Sequence, residues 1–396
     1  MKKITLKEKT KKQKKDGLKI IYLLGFLLAI STALPSYVES SYINQFVNIR
    51  WVSICFIIAN FVTFFAIIFF PRLIKKFSNY KATLLILSLS FISLIFMAIS
   101  TTAWQVFISF ALLLINFCLI WINMDIFVEG FSANKSIGQT RTIYFTFINL
   151  GWIFAPAISG YIIKNWGYRP IYLVAALLLI PFIFIFHHKS KNLEDTFNYQ
   201  KPEIKKTFAK IWQDKNLRGI FFIAFFLQLF YATAVVYVPI HLTQGLGISW
   251  ESLGIICSIM LIPFLIFEIP AGIIADKYIG EKEILTGGLT ILIISLCLFF
   301  GVRSNNIVLW AGILFFSRVG ASLVEAMRET YFFKIVTVKN VDLINFFRST
   351  QPLAYIFGSL LSIILLKYLP LTYFFLIIAI IFLCGYYFIY IIKDTK

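Results

Sequence analysis

The sequence predicts an all-α membrane protein in which twelve transmembrane helices form two six-helix pseudo-repeats, with both termini in the cytoplasm. Three observations predict this fold: long apolar runs, a one-sided distribution of Lys and Arg, and matched features about 200 residues apart. Of the 396 residues, 60% are hydrophobic and 14% are charged, whereas soluble globular proteins have roughly 45–50% apolar and about 25% charged residues. A soluble fold of this size could not bury so much apolar surface.

The apolar runs are long enough to cross a bilayer as helices, which takes about 18 or more residues for a hydrocarbon core of about 30 Å. They lie at residues 18–40, 51–70, 83–101, 105–127, 142–164, 170–187, 218–242, 252–274, 284–302, 306–327, 343–366 and 370–391. The predicted organisation is a basic tail at 1–17, a six-helix half at 18–187, a central loop at 188–217, a second half at 218–391 and a tail at 392–396.

The central loop contains a helical pattern. Ile204, Phe208, Ile211 and Trp212 recur at helical spacing among lysines. This favours a short amphipathic helix on the inner leaflet, and the alternative is a solvated linker.

The basic residues predict the orientation. Of the 37 Lys and Arg residues, 30 fall on the side of the termini and 5 on the other side. Because basic residues near span ends are held on the cytoplasmic side, we expect a multi-pass protein of a bacterial cytoplasmic membrane. Cleavage of a signal peptide near Ser31 and Ala33 would leave eleven spans and break this alternation. Orientation and contact with anionic lipid account for the net charge of +19, and no nucleic-acid partner is expected.

Several function classes are disfavoured by the residues present. The five Cys are scattered through apolar runs and only three His occur, which predicts neither disulfides nor a metal or other cofactor. The sequence contains no glycine-rich phosphate-binding motif, so nucleotide-driven transport is disfavoured. Glu251 is the clearest acid of the short outer loops, so the cluster that a lipid-modifying enzyme needs is missing and we expect no enzyme.

The two halves share spaced features. Spans two and eight begin at Trp51 and Trp250 and reach Pro71 and Pro270. Spans four and ten each begin with a Trp and end in two acids four residues apart: Trp104, Asp125 and Glu129 in one, Trp310, Glu325 and Glu329 in the other. A duplicated six-helix unit is typical of secondary transporters, whose substrate site lies between the repeats near the midplane.

The most specific motif follows span eight. It reads Gly272-Ile-Ile-Ala-Asp276-Lys277-Tyr-Ile-Gly280-Glu-Lys282. It resembles the loop signature of the major facilitator superfamily, with one residue inserted before Gly280. The resemblance implies an inner gate where Gly272 lets two helices pack closely, Asp276 caps a neighbouring helix, and the basic residues pair across the gap.

Two further stretches bear on this resemblance. The loop after Pro71 departs from the signature, because Lys75 stands where Asp is expected, which leaves room for a non-transporting sensor or scaffold. Span five holds Gly151, Pro156 and Gly160, similar to the family's fifth-helix motif associated with antiporters and efflux. The resemblance implies a secondary transporter that moves a small solute by alternating access, as a monomer. Proton-coupled efflux is favoured, and uptake of a sugar, nucleoside or other metabolite is the alternative.

Charges within the spans are functional candidates because they are costly in a bilayer. Arg318 lies in the middle of span ten and Glu268 at a similar depth in span eight. One hypothesis is an ion pair between these two helices. The other makes Arg318 the counter-charge of an anionic substrate, or Glu268 a proton carrier.

A second group of charges lies near the inner ends of spans. Its members are Asp125, Glu129, Arg141, Glu325, Glu329 and Arg348. Salt bridges among them would hold the inner mouth closed and break when it opens, and simple interfacial anchoring is the alternative.

In the family, the first, fourth, seventh and tenth helices line the cavity. The polar residues on the matching spans are Ser31, Thr32, Asn116, Asn123, Gln228, Tyr231, Thr233, Tyr237 and Ser322. Glu39, near the outer end of span one, is expected to be an exposed helix cap.

Overall fold

The computed structural model describes residues 11–131, 137–189, 204–336 and 341–394, which form helices and the turns between them. The helices are α1 (Lys11–Ser36), α2 (Glu39–Asn44), α3 (Ile49–Phe77), α4 (Asn79–Ile99), α5 (Ala103–Phe131), α6 (Ile137–Trp166), α7 (Arg169–Lys189), α8 (Ile204–Gln213), α9 (Lys215–Ala232), α10 (Val238–Ile240), α11 (Trp250–Ile274), α12 (Glu281–Gly301), α13 (Ile307–Ile335), α14 (Val341–Arg348), α15 (Thr350–Leu365), α16 (Leu371–Phe382) and α17 (Cys384–Ile391). Three π-helical segments continue α9, α10 and α11: Thr233–Tyr237, His241–Gly245 and Ala275–Ile279.

Eleven segments of the described chain are long and apolar enough to cross a membrane. The predicted eleventh span is not one of them, because it forms two shorter helices, α14 and α15. Pro352 has no N–H to continue the helical bonding. The hydroxyls of Ser349 and Thr350 instead donate to the carbonyls of Phe346 and Phe347, each at 2.6 Å. The number of twelve spans therefore stays a prediction.

The two sets of long helices repeat one packing pattern. In the first set, α1 packs against α6 and α7, α3 against α5, and α4 against α5 and α7. In the second set, α9 packs against α15 and α17, α11 against α13, and α12 against α13 and α16. The two sets meet mainly where α6 contacts α11 and where α3 contacts α15.

The α6–α11 contact is closest near the outer end, meaning the end of the bundle opposite the predicted cytoplasmic loops. A Cβ added at Gly254 would lie 2.5 Å from the carbonyl oxygen of Pro156, and one at Gly160 would lie 2.5 Å from that of Trp250. The backbone N–H of Ala157 donates to Ser258 Oγ across the interface at 3.1 Å. Glycine at both positions therefore lets the two backbones touch.

Helix α8 lies in the predicted central loop. Ile211 is buried, whereas the rings of Phe208 and Trp212 are exposed and stacked at 6.1 Å. Phe208 also lies 6.4 Å from the ring of Phe346 on α14. The helix thus contacts the bundle beside the segment that precedes Arg348 and leaves an aromatic face uncovered by the described chain.

Candidate functional site

A group of charged side chains lies between the two helix sets near the inner end. It consists of Asp125 on α5, Glu268 on α11, Glu325, Arg328 and Glu329 on α13, and Arg348 at the end of α14. We call these six residues the inner charge cluster. They come from both halves of the chain, so their interactions join the halves.

Arg348 connects the two halves. Its Nη1 lies 2.7 Å from Glu329 Oε1 and its Nη2 lies 3.1 Å from Glu329 Oε2, a two-bond pairing of guanidinium and carboxylate. Nη2 also lies 3.5 Å from Oδ2 of Asp125. Helix α13 thus holds the arginine in place, and the longer contact reaches the first helix set.

Arg328 is a member of the cluster that the sequence analysis did not single out. Its Nη2 lies 3.4 Å from Glu325 Oε1 and 3.5 Å from Glu329 Oε1, and the residue is only 3% exposed. The Tyr231 hydroxyl donates to the other oxygen of Glu325 at 2.5 Å. Span ten was predicted to end at residue 327, but α13 continues to Ile335. Arg328 is therefore a buried helix residue and does not belong to a loop.

Glu268 does not pair with Arg318. No salt bridge joins these two residues, and Glu268 instead interacts with Glu325, Glu329 and the side chain of Asn149 on α6. The hypothesis of a Glu268–Arg318 ion pair is therefore wrong for this conformation. The reason is depth, since α11 brings Glu268 level with the acids at the inner end of α13.

Arg318 lies in the centre of the molecule and is 1% exposed. Its guanidinium carbon lies 5.2 Å from the ring centre of Phe230 and 5.8 Å from that of Tyr231. It also acts electrostatically on Tyr37 and Tyr355. Its Nη1 has no hydrogen-bond partner. The residue is held by aromatic rings of α9 and by a side-chain hydrogen bond with Tyr37, and no described acid forms a salt bridge with it.

Glu39 is half-buried, so its prediction as an exposed cap is wrong. The kink after α1 turns it toward the interior, where it acts electrostatically on Cys55, Tyr172 and Tyr355. Tyr355 on α15 interacts electrostatically with Tyr37, Glu39 and Arg318. We call these four residues the central site. Only Arg318 of this set was a candidate from the sequence.

At the outer end, three hydroxyl groups join the halves. Tyr237 lies 2.6 Å from Ser362 Oγ and 3.1 Å from Ser53 Oγ, and the two serine oxygens are 2.9 Å apart. Ser53 is on α3, in the first helix set. In the second set, Tyr237 lies in the π-helical segment after α9 and Ser362 lies on α15. We call this buried trio the outer hydroxyl cluster. Tyr237 was predicted to line the cavity; its two serine partners carried no signal in a chain rich in Ser.

Most other polar candidates make bonds within one half. Asn123 donates to Thr83 Oγ1 at 2.9 Å, and Ser31 donates to the carbonyl of Ala175 at 2.9 Å. The hydroxyls of Thr32, Thr233 and Ser322 donate to carbonyls of their own helices. Asn116 is buried with its Nδ2 unpaired, and Gln228 is half-buried. These positions give no evidence of a shared ligand.

The loop motif is placed only in part. A Cβ at Gly272 would meet nothing within 4 Å, so the expected close packing there is wrong. Gly280 has φ +84° and lies against the Asp394 carboxylate, which accepts from the N–H of Glu281 at 3.2 Å. Asp394 thus caps the N-terminus of α12. Lys282 donates to the carbonyl of Tyr390 at 3.0 Å, within its own half.

The side chains of Glu129, Arg141, Asp276 and Lys277 lie outside the described residues. Lys75 is exposed and forms no salt bridge with the described part of the chain. Of the helix-five motif, Gly151 packs against α1, where an added Cβ would lie 2.8 Å from that of Ala29.

Comparisons with known proteins agree with this architecture. The sequence model of the Major Facilitator Superfamily matches residues 20–250 and 220–396. No curated protein matches the sequence.

Solved transporter structures share the fold across nearly their whole length. One is a bacterial homologue of the human lysosomal transporter Spinster in an inward-facing, unoccupied conformation, with a TM-score of 0.69 and 11% identity over 96% of this chain and 97% of that chain. Two others are POT family transporters. The one in complex with a thioalcohol-conjugated peptide has a TM-score of 0.74 and 13% identity, and the one in complex with 5-aminolevulinic acid has 0.76 and 14%; both pairs cover 94% of this chain and 95% of the other. Identities this low establish the fold alone.

Proposed function

The chain belongs to the Major Facilitator Superfamily, and we propose that it is a secondary active transporter that moves a small solute across the cytoplasmic membrane by alternating access. The observation that carries this proposal is the pair of inter-half contacts at opposite ends of the bundle, with the buried Arg318 between them. Two repeats that rock about a central site need contacts that can form and break at each end. We propose that α14 and α15 together complete a twelfth span, with both termini cytoplasmic.

The inner charge cluster is the proposed inner gate. Opening the inner end would draw Arg348 away from Asp125, because these residues belong to different helix sets. Arg348 would keep its two bonds to Glu329, which moves with it. The guanidinium therefore stays paired throughout the cycle, which limits the cost of breaking the gate.

Glu268 is the proposed proton carrier. It faces Glu325 and Glu329 of α13 and Asn149 of α6, and the cluster as a whole sets four carboxylates against the two guanidinium groups of Arg328 and Arg348. Excess carboxylates at close range in a membrane favour binding of a proton. Because Glu268 lies on the α6–α11 contact, its proton occupancy would change an interaction between the halves.

The substrate is proposed to be a small organic solute. Two of the similar structures hold such molecules, a peptide conjugate and 5-aminolevulinic acid. The pattern Gly151, Pro156 and Gly160 supports efflux as the direction.

The test uses protein reconstituted in liposomes loaded with a mixture of amino acids, short peptides, sugars, nucleosides and organic cations. A proton gradient is imposed and the solutes on each side are identified by mass spectrometry. We expect one solute class to move, and neither Arg348→Ala nor empty liposomes to move it. Glu268→Gln should retain exchange of solute for solute while losing the dependence on the proton gradient.

A sensor or scaffold is the second candidate, favoured by the exposed Lys75 in place of the signature Asp. It predicts that a solute stabilises the purified protein against heat, as any ligand of the folded state does, while no solute crosses the liposome membrane. That combination would contradict the transport proposal.

A further inference from the structure

Arg318 is a buried cation for which the described residues supply no counter-charge. Its Nη1 has no hydrogen-bond partner among them, it is 1% exposed, and no described acid forms a salt bridge with it. Its neighbours are the rings of Phe230 and Tyr231 and the hydroxyl of Tyr37, which forms a hydrogen bond with it. None of these is an anion, so they compensate only part of the charge. A guanidinium in a membrane interior is normally paired, so this group is suited to an anionic group of a ligand.

Glu39 is a second ionisable group for which the described residues supply no partner. It lies in the first turn of α2, and no described residue forms a hydrogen bond or salt bridge with it. It is half-buried and interacts electrostatically with Cys55 on α3 and Tyr172 on α7. A carboxylate in such a place is suited to a cationic group.

The two groups lie close together between the halves. Glu39 belongs to the first helix set and Arg318 to the second, and the buried Tyr37, two residues before Glu39, forms a side-chain hydrogen bond with Arg318. Tyr355 interacts electrostatically with both. They do not neutralise each other directly, because no salt bridge joins them. The interface between the halves thus holds a guanidinium and a carboxyl group at two separate points.

We propose that the solute is a zwitterion that sets its carboxylate on Arg318 and its ammonium group on Glu39. This proposal rests on the proposed function, because it assumes that the space between the halves is the solute site. A neutral sugar would leave both charges unpaired, and a simple anion would leave Glu39 unpaired. A zwitterion neutralises both, and because the two residues come from different halves it also ties the halves together.

The test measures binding to the purified full-length protein by calorimetry and by thermal stabilisation. The probes are glycine, 4-aminobutyrate, 5-aminopentanoate, 6-aminohexanoate, diglycine and triglycine, with pentanoate and pentylammonium as single-charge controls. We expect one length of zwitterion to bind on the order of tenfold or more tighter than either control, because a site with two charged groups rejects ligands that lack one of them. No binding by any zwitterion, or affinities equal to that of pentanoate, overturns the proposal.

Variants assign the two ends. Glu39→Gln should lower the affinity for the best zwitterion far more than that for pentanoate. Arg318→Gln should lower the affinity for the best zwitterion far more than that for pentylammonium. Glu283→Gln and Arg303→Gln, which remove exposed charges away from the central site, are the matched controls. Equal losses for all ligands in Glu39→Gln would mean that Glu39 supports the fold only and would overturn its assignment. If Arg318→Gln does not fold, the series on the unaltered protein still decides.

The liposome assay separates this proposal from the transport proposal. Zwitterion binding with the expected pattern but no movement of any solute would leave the zwitterion site standing and contradict transport. Movement of a solute that lacks one of the two charges would leave transport standing and contradict the zwitterion.

Discussion

The two ends of the interface between the helix sets are closed by different chemistry. At the inner end, Arg348 reaches Asp125 with both side chains about three-quarters buried, at 23% and 27% exposure. At the outer end, the contacts are three buried hydroxyls and the backbones of α6 and α11 at Gly160 and Gly254. The inner end therefore depends on charge and the outer end on shape and neutral hydrogen bonds.

This difference affects how each end can be opened. A partly buried ion pair loses much of its strength when water or a proton enters, because its energy depends on both charge and dielectric. A close backbone contact has no such dependence and opens only if the helices move apart. We therefore expect the inner end to respond to pH and ligand, and the outer end to follow as a mechanical consequence.

The largest expected effect comes from removing the inner cation. Arg348→Ala removes the cation that Glu329 and Asp125 share, and breaking a buried pair in this way costs about 3–5 kcal/mol. We expect a large fall in the melting temperature of the purified protein and loss of transport. Arg50→Ala removes an exposed arginine and should change stability by less than about 0.5 kcal/mol. Similar results for both variants would contradict the inner gate.

The second effect concerns shape at the outer end. In Gly254→Ala the new methyl would lie 2.5 Å from a backbone oxygen of Pro156, and overpacking of this kind costs typically about 1–3 kcal/mol. We expect a lower melting temperature and faster labelling of a cysteine placed at Ser53 by a reagent added from outside. Gly272→Ala is the matched control on the same helix, because its methyl meets nothing within 4 Å. If the two variants behave alike, close backbone packing does not hold the outer end.

A smaller effect is expected from one outer hydroxyl. Tyr237→Phe removes the bonds to Ser362 and Ser53, each worth about 0.5–1.5 kcal/mol. Tyr172→Phe is the control, because that hydroxyl is buried without a partner, so its removal should be neutral or stabilising. A loss of stability in Tyr172→Phe alone would contradict this view of the outer hydroxyl cluster.

Sequence patterns predicted the helical fold because membrane spans depend on composition, which is local. The same patterns predicted that Asp125, Glu325, Glu329 and Arg348 lie at one depth, since depth follows from position along a span. The eleventh span illustrates the limit. Its apolarity is continuous, but Pro352 and two hydroxyl groups break the helix at Ser349.

The partners of the site residues could not be predicted in the same way. Glu268 and Arg318 were expected at similar depths, yet packing brings Glu268 level with Glu325 and Glu329 of α13 and beside Asn149. Glu39 was assigned to the surface because it follows a span, and the turn after α1 that brings it inside leaves no clear sequence pattern. Facing direction depends on helix rotation and contacts between distant helices, which a single sequence does not specify.

The smallest expected effect comes from the ion pair at the outer surface. Lys164 on α6 pairs with Glu251 on α11, but these side chains are 56% and 41% exposed. Water screens such a pair, so Lys164→Ala should change stability by about 0–1 kcal/mol, less still in high salt. Melting temperatures at low and high salt check this. A large, salt-independent loss would mean that this pair becomes buried in another state of the cycle, and then charge would control both ends and not the inner end alone.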